Sequence, residues 1–293
     1  MDHQLQTFLN KFEDTLQSVC NTTYQSPPLG EALQYGILGP GKRVRPSLVF
    51  LCNQALGGQW QDALAPALSI EMIHTYSLIH DDLPCMDDDD VRRGRATVHK
   101  KFDEATALLV GDALLTDAFS VLSGEWHQYG FSFPEPQAQL SMIKALSTAA
   151  GSQGMIRGQA LDLYWTARKQ GTKQDLDQIH TCKTGHLIGA ACALGALSSG
   201  KGGDPGPWHE FGHRIGLAFQ IIDDLLDSSP DTGKSPGKDL AQQKLTYLSF
   251  MDRAAAQEIA EDLTNQSLNF TDHLGQESQL LRKFVANLLK RSH

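Results

Sequence analysis

Residues 81–87 read Asp81-Asp82-Leu83-Pro84-Cys85-Met86-Asp87, and later in the chain residues 223–227 read Asp223-Asp224-Leu225-Leu226-Asp227. Both acidic stretches are joined directly to apolar sequence of helical character. Crowded carboxylates repel one another, and burial increases the repulsion unless a cation offsets their charge. Carboxylate oxygens are the ligands that Mg²⁺ and Mn²⁺ prefer, and Mg²⁺ commonly links a few carboxylates to substrate phosphates. The two stretches therefore predict a metal-dependent enzyme that acts on diphosphate esters.

The composition narrows the class of protein. A chain of 293 residues with 41% hydrophobic residues can build a substantial core as one large domain or two small ones. The net charge of -9 argues against general nucleic-acid binding. No uninterrupted apolar run approaches the roughly 18–20 residues that span a bilayer, and the N-terminus lacks the pattern of a secretory signal. Because the five cysteines are scattered without zinc-type pairing, we expect free thiols in the cytoplasm.

Helical periodicity runs through nearly the whole chain, and alternating β-branched runs are scarce. Residues 3–20 predict an amphipathic helix whose apolar stripe consists of Leu5, Phe8, Leu9, Phe12, Leu16 and Val19. Pairs and clusters of glycine and proline divide the rest into further helices, but none forms an inter-domain linker. The sequence therefore predicts one all-α domain over residues 1–293, with roughly ten or more helices.

The acidic stretches are predicted to lie on helices. Residues 70–82 contain no helix breaker, and Pro84 disfavours continuation beyond them. At about 100° per residue, His74, Ser77 and Asp81 share one face of that helix. In the second stretch Asp223 and Asp227 share a face, with Gln220 about one turn earlier. Each helix would thus present carboxylates beside other polar groups.

Cationic segments accompany the carboxylates. They comprise a predicted loop at 41–46 before an apolar helix over 47–56, the pair Arg92-Arg93, the triplet Lys183-Thr184-Gly185, and Lys234 and Lys244. Each alone is more typical of a solvated surface, but arginine suits bidentate phosphate contact. A metal-dependent phosphohydrolase built on His80-Asp81 remains an alternative. It would need further histidines from other helices, such as His74, His99, His180 or His186.

Seven segments resemble, in order, the motifs of the trans-isoprenyl diphosphate synthases, and most of all those of the bacterial farnesyl diphosphate synthases. They span roughly residues 40 to 250 and comprise residues 41–46, 73–84, 90–94, 111–115, 158–163, 183–185 and 219–227. The resemblance implies an isoprenoid-synthase-type helical bundle around a deep central cavity, a homodimer, and three Mg²⁺ ions or Mn²⁺ in their place. It also implies condensation of isopentenyl diphosphate with the allylic dimethylallyl and geranyl diphosphates to farnesyl diphosphate (C15), by ionisation, condensation and elimination.

The resemblance also assigns roles to residues. It implies metal ligation by Asp81, Asp87 and Asp223, with Asp82, Asp224 and Asp227 as supporting carboxylates. The allylic diphosphate would contact Arg92, Lys183, Thr184, Gln220, Lys234 and, less clearly, Lys244, while Lys238 could exchange roles with Lys234. Isopentenyl diphosphate would contact Lys42, Arg45, His74 and Arg93. The catalytic set is Asp81, Asp82, Asp87, Lys183, Asp223 and Asp224.

Tyr76 is the predicted determinant of product length. It precedes Asp81 by five residues, about 7.5 Å along a helix. In the family, an aromatic residue there, together with two extra residues within the first acidic motif, accompanies a C15 product. Its neighbour Ser77 is too small to close a cavity. If Tyr76 is instead an ordinary core residue, a geranylgeranyl diphosphate synthase (C20) is the alternative. A catalytically silent regulatory homologue is a further alternative, although both acidic stretches are intact.

Overall fold

The computed structural model describes residues 3–168, 170–227 and 245–289, with the side chain of residue 227 excepted. Thirteen α-helices occur in this part of the chain. They are α1 His3–Thr22, α2 Leu29–Ile37, α3 Val44–Ala55, α4 Leu64–Asp81, α5 Val98–Lys101, α6 Glu104–Ser123, α7 Pro136–Ala150, α8 Met155–Arg168, α9 Lys173–His180, α10 His186–Ser198, α11 Gly206–Asp227, α12 Arg253–Phe270 and α13 Gln279–Leu289. The predicted all-α class is confirmed.

Helix α1 forms as the apolar stripe predicts. All six residues of the stripe are buried, and the Phe8 ring stacks on that of Phe50 in α3, with centroids 4.3 Å apart. Burial of one face of an amphipathic helix removes apolar surface from water, at roughly 25 cal/mol per Å². The helix therefore owes its stability to packing more than to intrinsic propensity.

Helices α4 and α10 lie at the centre of the molecule. Helix α10 is buried on every side from Leu187 to Ser198, which is typical of a helix that is apolar all round. It packs against α3, α4, α7 and α11, while α4 packs against α3 and α6. The helices that carry the two acidic stretches, α4 and α11, therefore both contact this central helix.

The segment after α4 folds back on itself. The Asp87 backbone N–H donates to the Asp81 carbonyl at 2.8 Å, which returns the end of the first acidic stretch to its beginning. A short antiparallel hairpin follows, in which β1 (Val91–Arg92) pairs with β2 (Arg95–Ala96). Its turn residues Arg93 and Gly94 both have positive φ, 54° and 76°, as two-residue turns of type I′ require. The sequence did not predict this hairpin.

Two local expectations need correction. Helix α3 begins at Val44, so part of the cationic segment predicted as a loop is the first helical turn. Pro46 is tolerated there because first-turn N–H groups lack helical partners.

Helix α6 is long and apolar enough to cross a membrane by length and composition alone, whereas the sequence predicted no apolar run of that length. That is weak evidence, because its Val110, Leu114 and Ala118 are buried in the core, as in a core helix.

Candidate active site

A cavity of about 1100 Å³ opens between α3, α4, α6, α8, α10 and α11. Twelve of the residues singled out in the sequence line it: Lys42, Arg45, His74, Tyr76, Ser77, Asp81, Arg92, Arg93, Lys183, Thr184, Gln220 and Asp223. They come from segments far apart in the chain. The cavity is therefore the place where the predicted groups meet.

The two acidic stretches each contribute one aspartate to the cavity wall. Asp81 ends α4 and Asp223 lies near the end of α11. Asp87 does not line the cavity, but the folded-back loop brings it near Asp81, and both carboxylates help to raise the pKa of the nearby Lys183. Carboxylate oxygens from two facing helices form a donor set that fits Mg²⁺ or Mn²⁺.

Asp82, which was predicted as catalytic, is not among the residues that line the cavity. Its carboxylate is buried and accepts a hydrogen bond from Arg92 Nε at 2.6 Å. Burial raises the pKa of Asp82, and Arg92 acts in the opposite direction. A carboxylate that is paired in this way holds the guanidinium of Arg92 at the cavity wall. Asp82 therefore positions Arg92, and its predicted catalytic role stays a prediction.

Asp224 also serves the fold in this structure. It is buried, and its Oδ2 accepts a hydrogen bond from the Tyr247 backbone N–H at 2.8 Å. This contact anchors the short turn over Tyr247–Ser249 against α11. Asp224 is not among the residues that line the cavity, and its predicted catalytic role stays a prediction. The side chain of Asp227 lies outside the described residues.

Lys183 lines the cavity from a π-helical segment of the backbone. Residues Thr181–Gly185 form a π-helical turn between α9 and α10, and such turns are frequent at functional sites. Its ammonium donates to Asp162 Oδ2 of α8 at 2.7 Å. Burial lowers the pKa of Lys183, but Asp162 and the acidic loop outweigh it, so the pKa is raised and the charge kept. Gly158 permits the close packing, since a Cβ there would meet the Lys183 backbone N at 2.1 Å.

The role of Asp162 was missed in the sequence. The residue belongs to one of the segments that carry the family resemblance, yet its spacing alone does not reveal its partner on the π-helical turn. Next to Lys183, the Thr184 hydroxyl donates to Gln220 Oε1 of α11 at 2.9 Å. Lys183, Thr184 and Gln220 thus form one polar group beside the carboxylates.

A second group of polar residues is cationic. Arg45 is its centre: the Nε atom is buried and has no hydrogen-bond partner among the described residues. Burial lowers the pKa of Arg45 to about 10, although nearby Glu71 favours the charged form. Arg93 donates to the Pro40 carbonyl at 2.8 Å, which fixes its guanidinium beside the cavity. A buried and incompletely paired guanidinium is suited to an anion.

Arg43 differs from its neighbours because it is already paired. It donates to Glu13 and to the buried Glu71, at 2.7 and 2.8 Å. His74 lies among these arginines, and burial together with their charges holds its pKa well below the usual value. The imidazole is therefore neutral at pH 7 and can donate a hydrogen bond to an anion without adding charge. Net positive charge remains at this end of the cavity.

Tyr76 lines the cavity although the helical wheel places it away from Asp81. It is only 5% exposed, and its ring meets that of His80 edge-on at 5.8 Å. Burial raises the pKa of Tyr76 to about 12, and its hydroxyl has no partner among the described residues. Ser77 donates to the His74 carbonyl of its own helix, so it leaves its part of the wall small.

The phosphohydrolase alternative finds no support in the geometry. His80 Nε2 contacts the Leu108 carbonyl at 3.0 Å and is thereby engaged. Within residues 3–168, 170–227 and 245–289, the one group of three or more metal-binding side chains with ligand atoms within 4.8 Å is Asp88, Asp90 and His99. It contains neither His80 nor Asp81. Lys234, Lys238 and Lys244 lie outside the described residues.

Comparisons with known proteins agree with this geometry. The family model of polyprenyl synthetase matches residues 26–282. The farnesyl diphosphate synthase of Micrococcus luteus is 39% identical over 290 residues, 97% of this chain and 96% of that protein. That of Escherichia coli K12 is 45% identical over 262 residues, with 87% and 85% covered. A solved structure of geranyltransferase from Helicobacter pylori, complexed with magnesium and isoprenyl diphosphate, matches with a TM-score of 0.80 and 35% identity, and 99% and 97% are covered. The chain therefore belongs to the polyprenyl synthetase family.

Proposed function

We propose that this protein is a farnesyl diphosphate synthase, a prenyltransferase that condenses isopentenyl diphosphate with dimethylallyl and then geranyl diphosphate. One observation carries the proposal. A single cavity holds two differently built polar groups, one that combines carboxylates with Lys183 and another that is cationic around Arg45. A reaction that joins two diphosphate esters needs two such subsites at one apolar pocket. The relatives named farnesyl diphosphate synthase support the same conclusion.

The carboxylate side suits the allylic diphosphate. Mg²⁺ held by Asp81, Asp87 and Asp223 would neutralise the charge that develops on the diphosphate as the allylic C–O bond breaks; we propose three ions, with Mn²⁺ as an alternative. Lys183 contributes a fixed positive charge to the same diphosphate, and the Thr184 hydroxyl adds a neutral donor. Arg92 lies at the cavity wall, where Asp82 holds it. Charges that are oriented before the reaction stabilise developing charge at little reorganisation cost.

The cationic side suits isopentenyl diphosphate. Arg45 and Arg93 offer guanidinium groups for bidentate contact, and Lys42 lines the same end of the cavity. His74 adds a neutral donor. Because this diphosphate is not released in the reaction, firm binding without metal is appropriate, and it orients the double bond toward the allylic carbon. The residues here therefore bind and orient, and they do not take part in bond breaking.

The remaining wall of the cavity is apolar. It includes Leu115, Met155, Ile156, Leu163, Ile188 and Phe219. An allylic cation would react with water, so an apolar wall that excludes water protects it until the double bond attacks. The Tyr76 ring occupies part of this wall, which favours a C15 product over the C20 product of a geranylgeranyl diphosphate synthase.

The proposal includes a homodimer. Leu108 and Leu109 of α6 are 48% and 55% exposed, and Ile156 of α8 is 48% exposed although it also lines the cavity. Leu108 and Leu109 are adjacent, and a contiguous exposed apolar patch marks an interface more often than bare surface. A second copy that covers α6 and α8 would also shield the cavity from water. We further propose that residues 1–293 form one domain and that the enzyme works in the cytoplasm.

Incubation of the purified protein with Mg²⁺, isopentenyl diphosphate and each of the C5, C10 and C15 allylic diphosphates tests the function. We expect condensation with the C5 and C10 substrates and accumulation of farnesyl diphosphate. Accumulation of C20 product would replace the proposal with the geranylgeranyl alternative. Phosphate release without isopentenyl diphosphate would indicate the phosphohydrolase, and absence of any turnover would indicate the silent homologue.

A further inference from the structure

A buried ion pair lies on the cationic side of the cavity, and the sequence assigned no role to either partner. Glu71 of α4 is 3% exposed, and its Oε1 accepts a hydrogen bond from Arg43 Nη1 at 2.8 Å. Glu71 precedes His74 by three residues, so the two share a face of α4. Because desolvation offsets most of the attraction in a buried pair, an apolar pair of similar volume is often as stable. The pair is therefore better explained by what it holds in place.

Arg43 fastens the loop between α2 and α3 to several elements. Its Nε donates to Glu13 of α1 at 2.7 Å, and its Nη2 donates to the carbonyls of Ile37 and Gly39, at 3.4 and 3.3 Å. The backbone of Arg43 is left-handed, with a φ of 45°, which is uncommon for a residue other than glycine. Such a conformation persists where the surrounding contacts hold it, and it is frequent at functional sites. The loop is thus fixed chiefly through one guanidinium.

Both guanidinium groups that are proposed to bind isopentenyl diphosphate depend on this loop. Arg45 follows Arg43 by two residues, in the first turn of α3. Arg93 donates to the Pro40 carbonyl at 2.8 Å. A Cβ at Gly41 would lie 2.7 Å from Arg93 Nη1, so that guanidinium packs closely on the loop backbone. A shift of the loop would therefore displace both groups.

Glu71 also supplies negative charge to the same arginines. Burial lowers the pKa of Arg45 and of Arg93, and neighbouring arginines act in the same direction. Glu71 acts against both causes and favours the charged forms. Without this carboxylate the guanidinium groups would repel one another more strongly and move apart. A diphosphate would then have to reassemble the group, at a cost in affinity.

We propose that Glu71 and Arg43 are positioning residues for the isopentenyl diphosphate subsite. Their ion pair fixes the loop at residues 38–43 and thereby holds Arg45 and Arg93 in place before the substrate arrives. This inference rests on the proposed function. Glu71 acts through the arginines, because a carboxylate in direct contact with the diphosphate would repel it. The allylic subsite around Lys183 should not depend on the pair.

Binding of isopentenyl diphosphate to the full-length protein, measured by calorimetry without allylic substrate, tests the inference. Glu71→Gln alone makes the subsite more positive, which by itself favours an anion. The decisive variant is therefore the double one, Arg43→Met with Glu71→Gln, which removes one charge of each sign and leaves no unpaired buried charge. We expect its Kd for isopentenyl diphosphate to rise about ten-fold or more. In assays its KM for isopentenyl diphosphate should rise in parallel, and its KM for geranyl diphosphate should stay unchanged.

Two further variants separate positioning from stability. Glu71→Asp keeps the charge and shortens the side chain, so its affinity should lie between those of the original protein and the double variant. Tyr24→Phe removes a hydrogen bond to Asp117, of 2.8 Å, outside the cavity lining. Its melting temperature should fall, and its affinity for isopentenyl diphosphate should not change.

Each contrary result has its own meaning. Equal Kd values for the double variant and the original protein would overturn the positioning role, and so would equal increases in both KM values. If the original protein does not bind isopentenyl diphosphate at all, the proposed function is wrong and this inference is wrong with it. If the original protein binds isopentenyl diphosphate but does not condense it, only the proposed function is wrong, because the calorimetric comparison needs no turnover.

Discussion

Asp81 and Asp223 are the residues on which the proposed chemistry depends most. They face the same cavity from two helices, and each belongs to a cluster of carboxylates that repel one another without a cation. A carboxylate in such a cluster contributes little to the stability of the metal-free protein, and much to the binding of Mg²⁺ and diphosphate. We therefore expect substitution at these two positions to lower activity without lowering the stability of the metal-free protein.

We expect Asp81→Asn and Asp223→Asn to lower kcat by orders of magnitude and to leave the metal-free melting temperature unchanged or higher. The reason is that asparagine removes a negative charge from a repelling cluster while it keeps the shape of the side chain. Steady-state kinetics at limiting Mg²⁺ and a melting curve in chelator check both parts. Asp88→Asn is the matched control, because Asp88 is exposed and lies outside the cavity lining. Near-normal kcat in either cavity variant would refute the metal assignment.

Tyr76 carries the prediction about product length. Tyr76→Ala removes a ring from the cavity wall while the charged groups stay in place, so products of twenty or more carbons should appear. Tyr76→Phe keeps the ring and removes a hydroxyl that has no partner among the described residues, so it should still give C15. Chromatography of the products distinguishes the two variants. If Tyr76 is only a core residue, Tyr76→Ala will lose about 3–5 kcal/mol of stability and still make C15.

At the scale of elements, the contact of α10 with α11 holds Thr184 beside Gln220. Glycines allow the helices to approach closely: a Cβ at Gly212 would lie 2.8 Å from Gly189 Cα, and one at Gly216 would lie 2.8 Å from Gly185 Cα. Packing at this distance leaves no room for a methyl group. Substitution here should therefore act on stability and on the allylic subsite together.

We expect Gly212→Ala to destabilise the protein by about 1–3 kcal/mol, as overpacking of a close contact does. The KM for the allylic substrate should rise as well, because Gln220 lies on α11 and Thr184 lies on the π-helical turn that leads into α10. Gly206→Ala is the control: its Cβ would meet only the flexible Asp204 side chain, at 3.2 Å, so its effect should stay within about 0.5 kcal/mol. Urea unfolding of the two variants compares them. Equal midpoints would contradict this account of the helix contact.

Sequence periodicity predicted the positions of the helices well. It did not predict which side chains from separate segments contact one another. The shared face of His74, Ser77 and Asp81 follows from helical geometry, and all three line the cavity. Asp82 and Asp224 follow their neighbours in equally acidic runs, and their turn toward Arg92 and the Tyr247 backbone depends on contacts between separate segments. The π-helical turn at Lys183 and its Asp162 partner are tertiary features for the same reason. Local pattern cannot encode such contacts.

At the scale of the whole molecule, histidines link stability to pH. Burial is the first cause of a lowered pKa at His74, His186, His209 and His213. These rings stay neutral in the folded protein, whereas in the unfolded chain they take up protons below their usual pKa of about 6.5. Their contribution to stability is therefore complete above that pH and is lost as the pH falls through it.

We expect the urea midpoint to fall as the pH is lowered from about 7.5 to 5.5, with at most about 1.4 kcal/mol per pH unit from each histidine. Solvent screening will reduce that value for the partly exposed rings. The double variant His74→Gln, His213→Gln should show a shallower dependence than the original protein. A midpoint that does not vary with pH over this range would show that the rings are not held neutral.

The central claim is that one cavity binds two diphosphates at separate subsites, and the Michaelis constants of two variants test it most directly. A charge-assisted hydrogen bond contributes about 1.5–3 kcal/mol, so loss of one should weaken binding about ten- to hundred-fold. In assays with geranyl and isopentenyl diphosphates, Arg45→Gln should raise the KM for isopentenyl diphosphate alone, and Lys183→Gln that for geranyl diphosphate alone. If both variants raise the same KM equally, the two-subsite account is wrong.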